Sequence, residues 1–289
     1  MKIQPRVITW ALLAMAGIVG TAGAQTSPPP ASDEDAIRQA ALDYMEGALT
    51  GDAARVARGV HEGLNKVEVG VLPQSGTQIL LYNTATTLVS FVRGQAAEMF
   101  AETDKAVEVT VFDVGNGIAA ARAVGAPWYD LLQLAKLDGQ WRVVNVLWVN
   151  RRPDAENGTE DPSARPEVEA TVRDFIEGIY SGDQERLARA MHPEIHKILL
   201  RTIPETGEPF LYKMGSSAML AATGAGLFTS PQEGWKIELE IYDISHGLAA
   251  AKVTSVQFID QLLLGSVNGE WKVINDLWVV NPDAPPEGG

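Results

Sequence analysis

The sequence predicts an α+β fold built twice, each copy placing N-terminal helices against a mostly antiparallel β-sheet. Three observations carry that prediction. The segment Gly139-Gln140-Trp141-Arg142-Val143-Val144-Asn145-Val146-Leu147-Trp148-Val149 returns 130 residues later as Gly269-Glu270-Trp271-Lys272-Val273-Ile274-Asn275-Asp276-Leu277-Trp278-Val279. Helical periodicity precedes strand alternation in both halves. A polar stretch bearing Pro and Gly, residues 151–165, separates the halves and reads as a linker.

The elements follow in order. Lys2 and Arg6, the apolar run from Val7 to Gly20 and the small residues Ala22-Gly23-Ala24 read as a signal peptide over residues 1–24, with cleavage expected before Gln25. Residues 25–33 contain Pro28-Pro29-Pro30 and read as a flexible tether. The first domain is expected over 34–150. Ile37, Ala41, Tyr44 and Ala48 recur at helical spacing; Gly51 suits a left-handed C-cap and Asp52 an N-cap for a short helix carrying Val56 and Val60. In the second domain, over 166–282, Val168, Val172, Phe175 and Ile179 form the matching stripe, followed by Gly182-Asp183, Leu187 and Met191. Asp43, Glu46, Arg55, His61 and Lys66 find the same residue types at Asp174, Glu177, Arg186, His192 and Lys197.

A hairpin is expected around Pro73-Gln74-Ser75-Gly76 and again around Pro204-Glu205-Thr206-Gly207. A third helix is expected from about Thr84 to Glu102, with a shorter counterpart from Ser216 interrupted by Gly224 and Gly226. The rest alternates as strands. Asp138-Gly139 and Asn268-Gly269 are two-residue hairpin signals that deliver the chain into the repeated segment. On simple alternation, Trp141, Val143, Asn145 and Leu147 share one face of that strand, and Val144, Val146 and Trp148 the other. Both faces are apolar, so both need covering. The helices of one copy cover one face; the sheet of the other copy is the expected cover for the second, giving an intramolecular pseudo-dimer. Residues 283–289 read as a tail.

Composition narrows the function. The net charge is −14, and loss of Lys2 and Arg6 with the signal peptide lowers it by two more. Such a field repels phosphate backbones and anionic bilayers, so neither nucleic acid nor a membrane surface is an expected partner. With no cysteine, thiol nucleophiles, thiolate metal sites and disulfides are all excluded. An exported chain without disulfides fits a bacterial periplasm.

Helix, helix, hairpin, helix and meander, ending in Gly-x-Trp-x-(Val/Ile)-x-x-x-Trp, resembles the nuclear transport factor 2-like superfamily, which includes SnoaL-like proteins. His192-Pro193-Glu194 with Lys197, Phe258-Ile259-Asp260 with Leu262, and Asn268 through Trp278 look most like its putative lumazine-binding family of exported bacterial proteins. The first copy departs from this pattern, with Glu62-Gly63 after His61. The resemblance implies two cone-shaped domains whose curved sheets wrap helices around a pocket. The family name implies a flavin-precursor ligand, though no residue of this sequence demonstrates one and the cofactor stays unknown.

Candidate chemistry is sparse. His61 and His192, expected at the end of the second helix, are either acid/base groups at a pocket mouth or caps for helix carbonyls. Asp130 and Asp260 lie among apolar residues and are either proton acceptors with raised pKa or partners of Arg122 and Lys252 on a neighbouring strand. Tyr82, Tyr212, Trp141, Trp271 and Lys197 are candidate ligand contacts. His192 and His196 have metal-like spacing, but Pro193 breaks a helix there, so no metal site is expected.

The reading is therefore an exported, non-catalytic protein that binds a small apolar or aromatic molecule, or a partner protein. One alternative is an acid/base isomerase, dehydratase or cyclase in one cone, favoured in the second copy. Another is a purely structural pseudo-dimer.

Overall fold

The structure is a computed structural model describing residues 32–151 and 161–285. The expected signal peptide, most of the tether and linker and the end of the tail lie outside the described residues.

Helix α1 (Asp33–Thr50) opens the first copy. Ser32 caps it by accepting from the Asp35 N–H, and three acids occupy its positive first turn. Gly51 ends it at φ 75°, as expected of a left-handed cap, and Asp52 caps α2 (Ala53–Gly59). An ionic staple holds the pair: Arg55 Nε and Arg58 Nε donate to the Asp43 carboxylate at 2.9 and 2.7 Å, and Arg55 reaches Glu46 at 2.6 Å. The second copy repeats the staple on α5 (Arg165–Ser181) and α6 (Gln184–Ala190), with Arg186 on Asp174 and on Glu177, both at 2.7 Å. The Asp43, Glu46 and Arg55 repeats legible in the sequence are therefore helix-joining pairs.

Strand β1 (Val60–Val71) begins earlier than helical periodicity suggested: Val60 is already extended. Met191 likewise starts β7 (Met191–Thr202). Strand β2 (Gln78–Thr84) completes the first hairpin and β8 (Pro209–Met214) the second. The third helix is broken, with α3 (Ala85–Phe91) passing into a π-helical turn at Val92–Ala96 and ending in α4 (Ala97–Met99). Its counterpart α7 (Ser216–Gly224) is short, as expected.

Four strands finish each copy: β3 (Glu108–Gly115), β4 (Ile118–Val124), β5 (Trp128–Leu137) and β6 (Gln140–Asn150), then β9 (Glu238–Ser245), β10 (Leu248–Thr254), β11 (Phe258–Val267) and β12 (Glu270–Val280). The sheets run β2-β1-β6-β5-β4-β3 and β8-β7-β12-β11-β10-β9. Every pairing is antiparallel except β1 with β6 and β7 with β12. The Asp138-Gly139 turn has φ 49° and 74°, the doubly positive backbone that two-residue hairpins favour.

One irregularity decides the faces of the repeated strand. Gln133 pairs with Asn145 but Leu134 pairs with Val143, so Val144 is a bulged extra residue. The bulge shifts alternation by one. Trp141, Val143, Val146 and Trp148 all enter the helix-side core, while Val144 and Leu147 point to the other sheet. The even alternation expected from sequence is thus corrected: Leu147, not Trp148, faces the second copy. The same break between Leu263 and Leu264 does this in β12.

The two sheets pack back to back, and the contact is isologous. Leu147 clusters with Leu248 and Ile274, while its counterpart Leu277 clusters with Ile118 and Val144. Arg122 binds Asp243 at 2.6 Å and Lys252 binds Asp113 at 2.9 Å, the same pair with the copies exchanged. Phe112 stacks on its own counterpart Tyr242, ring centroids 5.5 Å apart. Residue i of one copy meeting j of the other, and the reverse, is the signature of a two-fold interface, here inside one chain. Among the described residues, no helix is long and apolar enough to cross a membrane.

Candidate functional site

The concave face of each sheet holds a buried lysine on the first strand, and the copies treat it differently. In the first copy Lys66 is 6% exposed and faces the cone between α1 and β6. Its Nζ donates to the Tyr44 hydroxyl at 2.6 Å and to Asp130 Oδ2 at 3.2 Å. Tyr44 in turn donates to the same carboxylate oxygen at 2.5 Å. The Lys66 ammonium also lies 4.0 Å from the centre of the Trp148 ring, a cation–π contact. Burial lowers the pKa of Lys66 against the attraction of Asp130, and burial raises that of Asp130 against the attraction of Lys66. Tyr44 is pushed well above the ordinary phenol range by burial and by the charge of Asp130.

Above this network lies a cavity of about 390 Å³, bounded by Tyr44, Ala48, Leu88, Phe91, Phe100, Trp128 and Trp148, with Lys66 at its floor. Asn83, Thr87 and Asn150 add polar groups to its wall. Phe100 meets Trp128 edge-on at 4.9 Å, and Trp128 meets Trp148 edge-on at 6.3 Å, so the aromatic wall is a packed unit. Asp130 does not line the cavity. It sits behind Lys66 and Tyr44, fully buried, with Oδ1 lacking a hydrogen-bond partner among the described residues.

In the second copy the corresponding cavity is only about 20 Å³. Its lining residues explain the loss. Ile179 stands where the first copy has Ala48, and Met214 stands opposite Lys197 where the first copy has Asn83 opposite Lys66. Phe175 replaces Tyr44, and Asp276 replaces Val146. Lys197 is held by two carboxylates, Asp260 Oδ1 at 2.9 Å and Asp276 Oδ2 in closer contact. Burial lowers the Lys197 pKa, but the two carboxylates outweigh it and the net shift is upward. Burial, with the charge of Asp260 added and Lys197 opposing, pushes Asp276 up to about 8.

Residues 32–149 and 163–279 each match the model of the family described as putative lumazine-binding. The chain belongs to that family, in tandem. Among solved structures it is similar to a nuclear transport factor 2-like protein of unknown function from Shewanella baltica OS155, at 16% identity over 43% of this chain and 98% of that one, TM-score 0.36. It is similar also to one from Silicibacter pomeroyi DSS-3, at 15% identity over 41% and 97%, TM-score 0.34. A third, with a cystatin-like fold, comes from Novosphingobium aromaticivorans, at 16% identity over 46% and 87%, TM-score 0.33. No curated protein matches the chain.

The positions singled out in this family member by sequence distribute unevenly. Asp130 and Asp260 are buried in their cones, but their partners are Lys66 and Lys197; Arg122 and Lys252, the cations expected there, instead cross to the other copy. Lys197 lines the nearly filled second cone. Trp141 donates from Nε1 to Asp33 at 3.0 Å, tying the start of α1 to β6, and Trp271 sits in the second core. Tyr82 donates to Glu194 of the other copy at 3.1 Å, outside either cone, and Tyr212 is exposed.

His61 and His192 stand on the first strands, outside both cones and not on helix ends. Each accepts through Nδ1 from a backbone N–H, of Gly63 at 3.0 Å and Glu194 at 3.2 Å, rather than capping carbonyls. Burial lowers both pKa values. His196 bonds Asn145 across the interface at 2.7 Å, and burial with the nearby Lys213 charge takes it down to about 4. The sequence paired Lys66 with Lys197 as a repeat and offered Lys197 as a candidate ligand contact, but did not single out Lys66. A buried lysine facing a Tyr one strand-to-helix contact away leaves no short-range spacing signal.

Proposed function

We propose that the first cone is a receptor for a small, planar, largely apolar molecule carrying a hydrogen-bond acceptor, and that the second cone is its scaffold. The observation that carries this is the difference in room: about 390 Å³ over Lys66 against about 20 Å³ over Lys197. A cavity of that size falls within the range of small-molecule sites, which are mostly apolar with few polar groups. The first cone has that character. Trp128, Trp148, Phe91 and Phe100 offer ring faces and edges, and the Lys66 ammonium offers an N–H to a carbonyl or anionic oxygen at the floor. A lumazine-like ring, the ligand class in the family's description, has this shape and these acceptors. The purely structural reading is disfavoured by the open first cone. We propose also that the chain is exported, on the strength of the leader-like residues 1–24, and that it acts in a periplasm.

The test uses the second cone as a template. Ala48→Ile with Asn83→Met introduces the residues that fill it, both already accommodated by the same fold in the same chain. Native mass spectrometry of protein purified from its own source is expected to show a stoichiometric small adduct on the wild type and none on the double variant. An adduct that survives the double variant, or repeated absence of any adduct from the wild type, refutes the assignment.

A further inference from the structure

We propose that Lys66 is a carbonyl-capturing amine: an aldehyde or ketone entering the first cone condenses with it to an imine. This inference rests on the receptor reading and names its ligand class as carbonyl compounds. The hydrogen bonds among Lys66, Tyr44 and Asp130 run in one direction. Lys66 Nζ–H donates to the Tyr44 oxygen, and Tyr44 O–H donates to Asp130 Oδ2. A shift of one proton along each bond leaves a neutral amine, an intact phenol and a carboxylic acid. The lysine has then lost its charge without any proton leaving for water.

The chemistry balances. The neutral Nζ lone pair attacks the carbonyl carbon, the carbonyl oxygen takes up a proton, and the nitrogen gives one up, forming a carbinolamine. The carboxylic proton of Asp130 returns through Tyr44 to the carbinolamine hydroxyl, which departs as water while the C=N bond forms. The product is a protonated imine, an ammonium-like cation resting between the restored Asp130 carboxylate and the face of Trp148. No oxidant, reductant or further reactant is required. Burial favours the neutral pair that starts the sequence, since it penalises both charges of the ion pair.

The second copy is an internal control. Lys197 has the same position on the equivalent strand, yet two carboxylates hold its charge, Phe175 removes the relay hydroxyl, and the cone has no room for a ligand. One chain therefore contains a lysine set to lose its proton and one set to keep it.

The experiment incubates the full protein with 2-naphthaldehyde and sodium cyanoborohydride, then maps reduced adducts by peptide mass spectrometry. Binding of 2-naphthalenemethanol, which has the same ring and no carbonyl, is followed in parallel by quenching of tryptophan fluorescence. The expected result is at least ten-fold greater modification of Lys66 than of buried Lys197 or exposed Lys213, abolished by Lys66→Arg. Tyr44→Phe, which installs the second copy's residue, is expected to slow modification at saturating aldehyde at least ten-fold and to shift its pH profile upward. If the alcohol binds and Lys66 is modified no faster than Lys197, the imine inference falls and the receptor reading stands. If neither the alcohol binds nor Lys66 is modified, both fall.

Discussion

Asp276→Asn isolates the electrostatic cost of the second cone. Asp276 and Asp260 are both about fully buried, and together with Lys197 they place two negative charges and one positive charge in a closed site. A site of net charge −1 without solvent favours binding a proton, and Asp276 is the group pushed up, to about 8. The linkage sign follows. A carboxyl whose folded pKa lies above its unfolded value of about 3.9 contributes stability below pH 4 and loses it as pH rises through 8. Four units at about 1.4 kcal/mol each set an upper limit between about 5 and 6 kcal/mol, and the coupling of Asp276 to the charges around it reduces this to about 2–3 kcal/mol. Asparagine mimics the protonated carboxyl, keeping an acceptor for Lys197 and a donor for Asp260. The advantage of the variant over the wild type should therefore grow by about 2 kcal/mol between pH 5 and pH 8. Urea titrations of both proteins at both pH values measure this, since the difference between proteins cancels the other titrating groups. An equal difference at pH 5 and pH 8, or an advantage that shrinks as pH rises, refutes the reasoning.

Three further outcomes test the architecture. Leu147→Ala empties a fully buried site between the sheets and should cost about 3 kcal/mol in urea unfolding while leaving ligand binding in the first cone intact. Arg122→Ala strands Asp243, which is 7% exposed, and should cost about 3 kcal/mol, whereas Arg122→Met combined with Asp243→Leu should recover most of it. Gly59→Ala places a Cβ 2.7 Å from the Ala40 carbonyl oxygen and 2.8 Å from the Tyr44 backbone nitrogen. Because both obstacles are backbone, α2 must move away from α1, and a loss of about 2 kcal/mol or more is expected by thermal or urea unfolding.

Much of the fold was legible because it is written in local patterns that occur twice. The Gly51-Asp52 and Gly182-Asp183 joints and the Asp138-Gly139 and Asn268-Gly269 turns are short-range backbone instructions. The duplication confirms each by its partner. What was not legible depends on single residues with long-range consequences. Nothing near Val144 announces a bulge, yet that one residue sends Trp148 into the cone and Leu147 to the other sheet. The broken third helix is a similar case, since Gly94 weakens a helix without dictating a π turn. At the site, Asp130 was visible as an acid among apolar residues, but its partner was sought on the adjacent strand. Arg122 and Asp130 lie on neighbouring strands and opposite faces of the sheet. Lys66 lies two strands away on the same face, and the face decides.

The two copies show how one fold divides its work. A two-fold interface needs only that both outer faces stay complementary, and there the copies have remained close: Arg122 with Asp243 answers Lys252 with Asp113, and Leu147 answers Leu277. Nothing in that requirement constrains the inner faces. In the second cone, Ile179 and Met214 stand where the first has Ala48 and Asn83, which adds packing to that half. The first cone keeps Ala48 and Asn83 and with them a cavity whose packing the rest of the chain must compensate. In a homodimer a filling substitution would close both sites at once. In a fused pair it closes one, so stability can be gained in the second half while the first retains its buried lysine, its relay and its room.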